Sequence, residues 1–300
     1  MKRAQFSEYG GPEVLRVTEA EEPHAAEGQI RISVRAAGIN QFDWKVREGH
    51  MREMMPLPLP AGTGGDAAGV VDEVGDGGTD VVVGDEVFGS GQATLAEYAV
   101  LTSWAKKPEG LSFEEAAGYP VPIETAIRIL KQVGVQPGET LLVSGASGGV
   151  GSAVIQVARQ KGITVIGTAS ERNQDYLQEF GATALTYGPD LVNRVRALAP
   201  EGVDAALDLA GSGVIPELIE LTGEPQKVLS IADFSAPEHG AQVSAQAENR
   251  ARAYAEAAEL FIQGAFHIPV EKTFKLEEAG EAQAASAKGH VKARFIVTIP

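Results

Sequence analysis

Residues 141–161, which read LLVSGASGGVGSAVIQVARQK, decide the fold of this chain. Three apolar residues run into a glycine-rich turn at residues 145–151, and apolar residues at helical spacing follow at once. A strand, a glycine-rich turn and a helix predict a dinucleotide site, because glycines allow a tight turn and a close approach to a pyrophosphate. The first N–H groups and the positive dipole end of the helix face that anion. The turn residues predicted to contact it are Gly145, Ser147, Gly148, Gly149, Val150 and Gly151.

Strands and helices alternate through the middle of the chain. The apolar runs that predict strands are residues 141–144, 164–168, 205–209 and 227–231. The patterns that predict helices are residues 124–132, 150–161, 173–180 and 247–263. Such alternation implies a parallel sheet with helices on both faces. We therefore predict a doubly wound, Rossmann-type α/β domain.

The two ends of the chain have a different pattern. Short strand-like runs at residues 31–36, 69–74 and 95–100 are separated by turns rich in glycine, proline and aspartate. These runs predict a β-rich domain over the first 120 residues. Near the C-terminus, the sequence predicts a helix at residues 277–288 and a closing strand at residues 295–299.

Composition excludes several classes of function. The chain has 300 residues, no cysteine and a formal net charge of −16. The lack of cysteine excludes disulfides, thiolate nucleophiles and thiolate metal sites, and the acidic balance argues against nucleic-acid or membrane partners. No apolar run approaches the ~20 residues of a membrane span, and no secretory signal follows the charged start. We expect a cytoplasmic protein.

The glycine spacing carries a more specific resemblance. The glycines at positions 145, 148 and 151 span one residue more than the common G-x-G-x-x-G fingerprint. A longer string, G-[DE]-x-x-L, then two small residues, G-G-x-G and Q-x-x-[KR], is matched without a gap by Gly138, Glu139, Leu142, Ala146, Ser147, Gly148, Gly149, Gly151, Gln156 and Arg159. This string resembles the zinc-independent, zeta-crystallin-like quinone oxidoreductases of the medium-chain dehydrogenase/reductase superfamily.

The resemblance extends along essentially the whole chain and implies a domain arrangement. It implies a Rossmann dinucleotide-binding domain, residues 121–265, inserted into a GroES-like substrate domain formed by residues 1–120 and 266–300. It also implies a homodimer and a small-molecule substrate.

The residues after the second predicted strand of the Rossmann domain favour NADPH over NADH. An acidic residue at this place bonds the ribose hydroxyls of NAD, whereas a cation accommodates the 2′-phosphate of NADP. Here Ala169 takes the acid's place, and Ser170 and Arg172 can hydrogen-bond a phosphate. The negative charge of Glu171 would repel a 2′-phosphate unless its side chain points away. The resemblance adds Tyr187 near the adenosine end.

The positions at which zinc-dependent relatives carry metal ligands are changed. The early-loop cysteine of those relatives corresponds to Asn40, and their His-Glu pair corresponds to Gly65 and Asp66. We therefore expect no metal site. The chemistry that remains is hydride transfer from NADPH to quinones or α,β-unsaturated carbonyls, whose conjugation spreads the incoming charge onto oxygen.

The early loop offers three candidate catalytic residues, each with a structural alternative. Asn40 and Asp43 match an N-x-x-D pattern that the resembled family places beside the nicotinamide. Asn40 either donates to a developing oxyanion or to the cofactor, or caps a helix that has Asp43 in its first turn. Asp43 cannot donate while ionised, so its functional alternative is to order Lys45, a ribose hydroxyl or the loop. Lys45 is either a proton donor or electrostatic stabiliser, or an ordinary surface lysine.

The resemblance implies further cofactor contacts outside the glycine-rich turn. These positions are Asn40, Thr125, Ile231, Ala232, Phe266, His267, Ile268 and Arg294. For Arg294, a salt bridge at the rim is an equal alternative to a cofactor contact. Among the histidines, His267 is the most suggestive chemically, because imidazole shuttles protons near neutral pH. The alternative for the whole chain is a noncatalytic NADPH-binding sensor or a crystallin-like structural protein.

Overall fold

The computed structural model describes residues 1–244, 246–289 and 291–300. The chain forms two compact units, one from Met1–Val121 together with Asn249–Pro300 and the other from Pro122–Glu248. The second unit is inserted into the chain of the first, in agreement with the predicted fold class. The chain returns to the first unit at Asn249, whereas the sequence prediction put the return at residue 266.

The secondary structure is mixed throughout. In chain order, the strands are β1 (Lys2–Phe6), β2 (Arg16–Glu19), β3 (Ile30–Gly38), β4 (Ala61–Gly62), β5 (Asp66–Val74), β6 (Glu86–Gly91), β7 (Tyr98–Lys106), β8 (Thr140–Ser144), β9 (Thr164–Ala169), β10 (Thr183–Thr186), β11 (Ala205–Asp208), β12 (Val228–Ser230), β13 (Gln242–Val243), β14 (Val270–Lys275) and β15 (Arg294–Thr298). The α-helices are α1 (Gln41–Arg47), α2 (Phe113–Ala117), α3 (Pro120–Val133), α4 (Gly149–Gln160), α5 (Gln174–Glu179), α6 (Leu191–Leu198), α7 (Ile215–Thr222), α8 (Arg250–Ile262) and α9 (Ala279–Ala287). Among the described residues, no helix combines the length and the apolar character needed to cross a membrane.

The inserted unit contains a six-stranded parallel sheet with the order β10-β9-β8-β11-β12-β13. The chain leaves β8 for β9 on one side and later crosses to β11 on the other side. The order in which the chain adds strands therefore reverses at β8, although all strands stay parallel. Ligands of such sheets bind at the carboxyl ends of the strands at this switch point. The register pairs Ser144 with Thr168 and with Asp208, and Asp208 with Ser230, so four polar residues form a row where the strands end.

The connection from β8 to α4 depends on small residues. Gly145 has φ +81°, a left-handed conformation that side chains rarely adopt. A Cβ on Gly151 would lie 2.4 Å from the carbonyl oxygen of Ala146, so only glycine lets the first turn of α4 pack this closely on the turn. α4 therefore begins directly at the end of β8.

The first unit is β-rich and has a larger core. A six-stranded sheet, β14-β15-β3-β5-β6-β7, has an additional pairing between β3 and β7, which closes β3, β5, β6 and β7 into a ring. A three-stranded sheet, β2-β1-β4, accompanies it. Fully buried aliphatic residues such as Ile30, Ile32 and Leu101 lie in one apolar cluster of this unit.

Helix α8 belongs to the β-rich unit because of an aromatic anchor. The Tyr254 side chain is 1% exposed, and its ring centroid lies 6.2 Å from that of Phe88. Its hydroxyl donates to the Ser90 Oγ at 2.9 Å. Helical periodicity predicted this helix, but periodicity does not say which sheet a helix covers.

A buried arginine ties α1 to α9. The Arg47 side chain is fully buried, and its Nε donates to the Gln283 Oε1 at 2.8 Å. The Gln283 Nε2 in turn donates to the Thr63 Oγ1 at 3.1 Å. A buried guanidinium needs such partners, so this network fixes the helix that carries Asp43.

Candidate functional site

A buried ion pair lies at the changed metal-ligand positions of the first unit. The Arg294 Nη2 donates to the Asp66 Oδ2 at 3.1 Å, and the Arg294 Nη1 donates to the Asn40 Oδ1 at 2.9 Å. The Asn40 Nδ2 donates to the same Asp66 oxygen at 3.0 Å. Because an amide NH₂ has two hydrogens, one hydrogen of Asn40 is not used by this bond. The three side chains are between 0% and 8% exposed, which leaves the guanidinium as a fixed cation in a dry environment.

The backbone makes room for this cation. A Cβ on Gly38 would lie 2.6 Å from the Arg294 Nη2, so a larger residue in β3 would displace the guanidinium. The backbone N–H of Val121 also donates to the Asp66 Oδ2, at 3.3 Å. The Asp66 Oδ1 and the Arg294 Nε are buried without a hydrogen-bond partner among the described residues. The cluster therefore keeps hydrogen-bonding capacity that its own members do not use.

Asp43 lies beside this cluster in an unusual electrostatic environment. Its Oδ2 accepts from the backbone N–H of Asn40 at 2.8 Å, and its own N–H donates to the Asn40 carbonyl at 3.1 Å. The structural alternative is therefore present, with Asn40 as the N-cap of α1 and Asp43 in its first turn. Burial raises the pKa of Asp43 to about 7, and the negative charge of Asp66 acts in the same direction.

Four other residues predicted in this unit lie in different environments. The Nζ of Lys45 lies 5.6 Å from the centroid of the Trp44 ring, in a cation–π contact. Phe266 and Ile268 are buried, whereas His267 between them is exposed. The Phe266 ring makes an edge contact with Tyr119 at a centroid distance of 5.0 Å. The two apolar neighbours thus anchor the loop that presents His267.

In the inserted unit, the glycine-rich turn leaves open space at the N-terminus of α4. Gly148 is the N-cap, and no side chain caps the helix. A Cβ on Gly148 would meet no atom within 4 Å, whereas a Cβ on Gly151 would lie 2.4 Å from the Ala146 carbonyl oxygen. The first N–H groups of a helix have no intrahelical partner, and no acidic residue lies in the first turn of α4. The turn is therefore a cradle that suits an anion such as a pyrophosphate.

The segment after β9 contains a hydroxyl without a partner. The Ser170 Oγ is buried and forms no hydrogen bond with the described residues. The Gln174 Nε2 donates to the carbonyls of Ala169 and Ser170 at 3.2 and 3.1 Å, which fixes the backbone around it. Arg172 is exposed in a short 3-10 turn, and Tyr187, 50% exposed, follows the neighbouring strand β10. These residues thus lie at the carboxyl ends of adjacent strands.

Two residues that sequence reasoning missed are Asp208 and Ser230. Both are fully buried at the ends of β11 and β12, and the Ser230 Oγ donates to the Asp208 Oδ2 at 2.8 Å. The Ser230 Oγ also accepts from the backbone N–H groups of Ala232 and Asp233, at 3.1 and 2.8 Å. The sequence signal was a polar residue at the end of each buried apolar strand.

Thr125 is likewise part of a side-chain network on α3. It is 7% exposed, and its Oγ1 accepts from the Arg128 Nη2 at 3.4 Å. The Arg128 Nε donates to the Glu124 Oε1 at 2.9 Å. The position of the Thr125 hydroxyl is therefore set by a neighbouring ion pair that the sequence analysis did not consider.

Metal-ligating side chains do not cluster in the described part of the chain. Within residues 1–244, 246–289 and 291–300, no three His, Asp or Glu side chains are grouped so that they could hold a metal ion. The cation buried beside Asn40 and Asp66 is the guanidinium of Arg294.

Two protein-family models match the chain. The first, described as an alcohol dehydrogenase GroES-like domain, matches residues 26–110. The second, described as a zinc-binding dehydrogenase, matches residues 149–247. The two matches fall in the β-rich unit and in the inserted unit respectively, which supports a Rossmann-type domain within a GroES-like domain.

Known proteins resemble the chain over most of its length. It is 31% identical to the human quinone oxidoreductase over 241 residues, which are 77% of this chain and 73% of that protein. It is 32% identical to the chloroplastic NADPH-dependent alkenal/one oxidoreductase of Arabidopsis thaliana, over 79% of this chain and 64% of that protein. A mycobacterial protein solved in complex with NADPH superposes with a TM-score of 0.86 at 25% identity, over 100% of each chain.

The raised pKa of Asp43 predicts a pH dependence of stability. The folded protein holds the Asp43 proton up to about pH 7, whereas the ordinary pKa of an aspartate carboxyl, which applies to the unfolded chain, is 3.8. The stabilisation is complete at low pH and is lost as the pH rises through the folded pKa. Asp43→Asn keeps an acceptor for the Asn40 N–H but cannot ionise. We expect its free energy of unfolding, relative to wild type, to increase between pH 5 and pH 8 in urea titrations.

The matched control is Asp175→Asn, which removes an exposed carboxylate from α5. Its difference from wild type should stay constant over the same pH range. A constant difference for Asp43→Asn as well would contradict a raised pKa at this carboxyl.

The two glycines of the turn should respond differently to alanine. Gly148→Ala adds a methyl group that meets no protein atom, so its unfolding free energy should change by less than about 1 kcal/mol. The methyl group fills the anion cradle, so the affinity for adenosine diphosphate should fall about tenfold or more. Gly151→Ala should lower the melting temperature, because its Cβ would clash with Ala146. Unchanged nucleotide affinity in Gly148→Ala would mean that the cradle is not the anion site.

Proposed function

Because the chain belongs to the zinc-independent quinone oxidoreductase family of the medium-chain dehydrogenases/reductases, we propose that it is an NADPH-dependent reductase. The proposed acceptors are quinones or α,β-unsaturated carbonyl compounds. Its relatives include a quinone oxidoreductase and an NADPH-dependent alkenal/one oxidoreductase, which supports both acceptor classes. We keep both classes as candidates, because they accept a hydride by the same conjugate chemistry.

The observation that carries the choice of NADPH is the partnerless hydroxyl after β9. Ala169 cannot bond the ribose hydroxyls, and the Ser170 Oγ is buried with no hydrogen-bond partner in the described structure. A 2′-phosphate offers acceptor oxygens to such a hydroxyl and to the guanidinium of Arg172. The open N-terminus of α4 would hold the pyrophosphate. The donor set thus fits an adenine dinucleotide phosphate better than one without the extra phosphate.

The buried cluster of the first unit supports metal-free chemistry. Arg294 already supplies the positive charge that faces Asp66 and Asn40. NADPH, when bound, would supply the hydride. The spare amide hydrogen of Asn40 could then stabilise a developing oxyanion, and Asp43, with a pKa of about 7, would hold a proton near neutral pH. Lys45 and His267 are secondary candidates for the same proton.

Turnover measurements test the reductase proposal directly. We expect the purified protein to consume NADPH in the presence of a simple quinone or a short-chain enone, and to consume NADH much more slowly. The preferred acceptor would decide between quinone and alkene chemistry. NADPH binding without turnover of any quinone, enone or enal would contradict the reductase and favour the noncatalytic sensor.

Substitutions after β9 test the cofactor assignment. Arg172→Ala should weaken NADPH binding about tenfold to a hundredfold, because it removes a charge-assisted phosphate contact. NADH binding should stay within about twofold, since NADH lacks the 2′-phosphate. Glu171→Gln, the control at the adjacent exposed position, should not weaken NADPH binding, because it removes a charge that repels phosphate. Equal losses for both cofactors in Arg172→Ala would exclude a 2′-phosphate contact.

A further inference from the structure

Three turns contact one another along the carboxyl edge of the parallel sheet. A Cβ on Gly145, in the glycine-rich turn, would lie 3.1 Å from the Cβ of Ala210. A Cβ on Gly211 would lie 3.1 Å from the Cβ and from the carbonyl oxygen of Ala232. The turns after β8, β11 and β12 therefore form one continuous surface, with glycine at each close approach.

The strand order gives a bound dinucleotide a direction along this surface. The proposed 2′-phosphate contacts follow β9, and the pyrophosphate cradle follows β8. Because β11 and β12 lie on the other side of β8, the second nucleoside of the dinucleotide extends over their ends. Neighbouring strands are about 4.8 Å apart, so β9 and β12 are separated by about 14 Å. The nicotinamide half would therefore lie over the turn formed by residues 231–233, where the family resemblance also predicts cofactor contacts at Ile231 and Ala232.

Hydrogen bonds to the buried side chains of Asp208 and Ser230 stabilise that turn. The Asp208 Oδ1 accepts from the backbone N–H groups of Ala210 and Gly211, at 3.1 and 3.0 Å. Its Oδ2 accepts the hydroxyl hydrogen of Ser230 at 2.8 Å. One buried carboxylate thereby fixes the turn after β11 directly and the turn after β12 through Ser230.

The direction of each hydrogen bond at Ser230 is determined. A hydroxyl oxygen has two lone pairs and one hydrogen. The N–H groups of Ala232 and Asp233 occupy both lone pairs, so the hydrogen points to Asp208. The N–H of Ile231 is also used, by the Asp208 carbonyl at 3.0 Å. All three N–H groups of the turn thus have acceptors within the protein. The Asp233 carbonyl accepts from the Ala236 N–H at 3.4 Å, so the carbonyl oxygens of Ile231 and Ala232 are the groups that this turn would offer to a ligand.

We propose that Asp208 and Ser230 are positioning residues for the nicotinamide carboxamide. They orient the 231–233 turn so that its carbonyl oxygens accept from the carboxamide NH₂, which is the only strong donor on the nicotinamide ring. This inference rests on the proposed function, because it requires NADPH as the ligand. Both side chains are fully buried and their polar groups already have partners within the protein, so we assign neither of them a contact with the cofactor.

Three ligands separate this role from a purely structural one. NADPH, 2′,5′-ADP and the 3-acetylpyridine analogue of NADPH are titrated calorimetrically into wild type, Ser230→Ala and Asp208→Asn. The adenosine ligand reports on the β9 half of the site, and the analogue lacks the carboxamide NH₂. In Ser230→Ala, two N–H groups lose their acceptor and the turn is released. We expect NADPH binding to weaken about tenfold and 2′,5′-ADP binding to stay within about twofold.

Wild type should also prefer NADPH over the acetylpyridine analogue, and Ser230→Ala should lose most of that preference. Asp208→Asn should behave similarly, because an amide NH₂ cannot accept the Ser230 hydrogen. Ser235→Ala is the matched control, since it removes a hydroxyl of the same loop whose hydrogen bond among the described residues goes to the Asp233 Oδ1.

Three results would contradict either the inference or the proposed function. Equal weakening of NADPH and 2′,5′-ADP in both variants would show a general structural role and overturn the inference. An unchanged preference for the carboxamide in Ser230→Ala would also overturn it, while leaving the reductase proposal intact. Failure of wild type to bind NADPH or 2′,5′-ADP would overturn the proposed function itself.

Discussion

The packing of Gly151 against Ala146 is the contact on which the inserted unit depends. A side chain at Gly151 would lie 2.4 Å from the Ala146 carbonyl, and one at Gly167 in β9 would lie 2.8 Å from the Ala146 Cβ. Because both positions are glycine, α4 can begin at the end of β8 while β9 lies alongside. The free N–H groups of the helix then face the carboxyl edge of the sheet, where the turns after β9, β11 and β12 also lie. The same close packing that fixes the fold therefore creates the anion cradle.

The central feature of the first unit is a pair of charged side chains buried away from solvent. Arg294, Asp66 and Asn40 hydrogen-bond one another through a guanidinium and an amide. A buried cation that is covalently part of the chain needs no ligand exchange and no reorganisation, so its field is present before any substrate arrives. The neighbouring carboxyl of Asp43 is itself buried, and this burial raises its pKa to about 7. A buried ion pair thus coexists with a carboxyl that titrates near neutrality.

The sequence predicted the strands that combine an apolar run with a turn signal, namely β3, β5, β7, β8, β9, β11, β12 and β15. It did not predict the described strands β1, β2, β4, β6, β10, β13 and β14. The predicted strand at 164–168 and helix at 150–161 differ by one residue at each shifted end from β9 and α4. The predicted strand at 95–100 overlaps only the start of β7, because its first residues form backbone bonds outside that strand. Helices α6 and α7 were not predicted, since their short amphipathic patterns lie between polar turns. Helix α8 was predicted, but its partner sheet depends on Tyr254, Phe88 and Ser90.

The sequence alone determined the fold class, the turn that suits a pyrophosphate and the family, because glycine spacing and strand periodicity are local properties. It also named Asn40, Asp43 and Arg294, but as separate residues with separate alternatives. Only the tertiary structure joined Asn40 and Arg294 through Asp66, across more than 200 positions of sequence. It also revealed Asp208 and Ser230, whose contact requires two strands to lie in register. Hydrogen bonds between distant residues depend on register and packing, which no local pattern encodes.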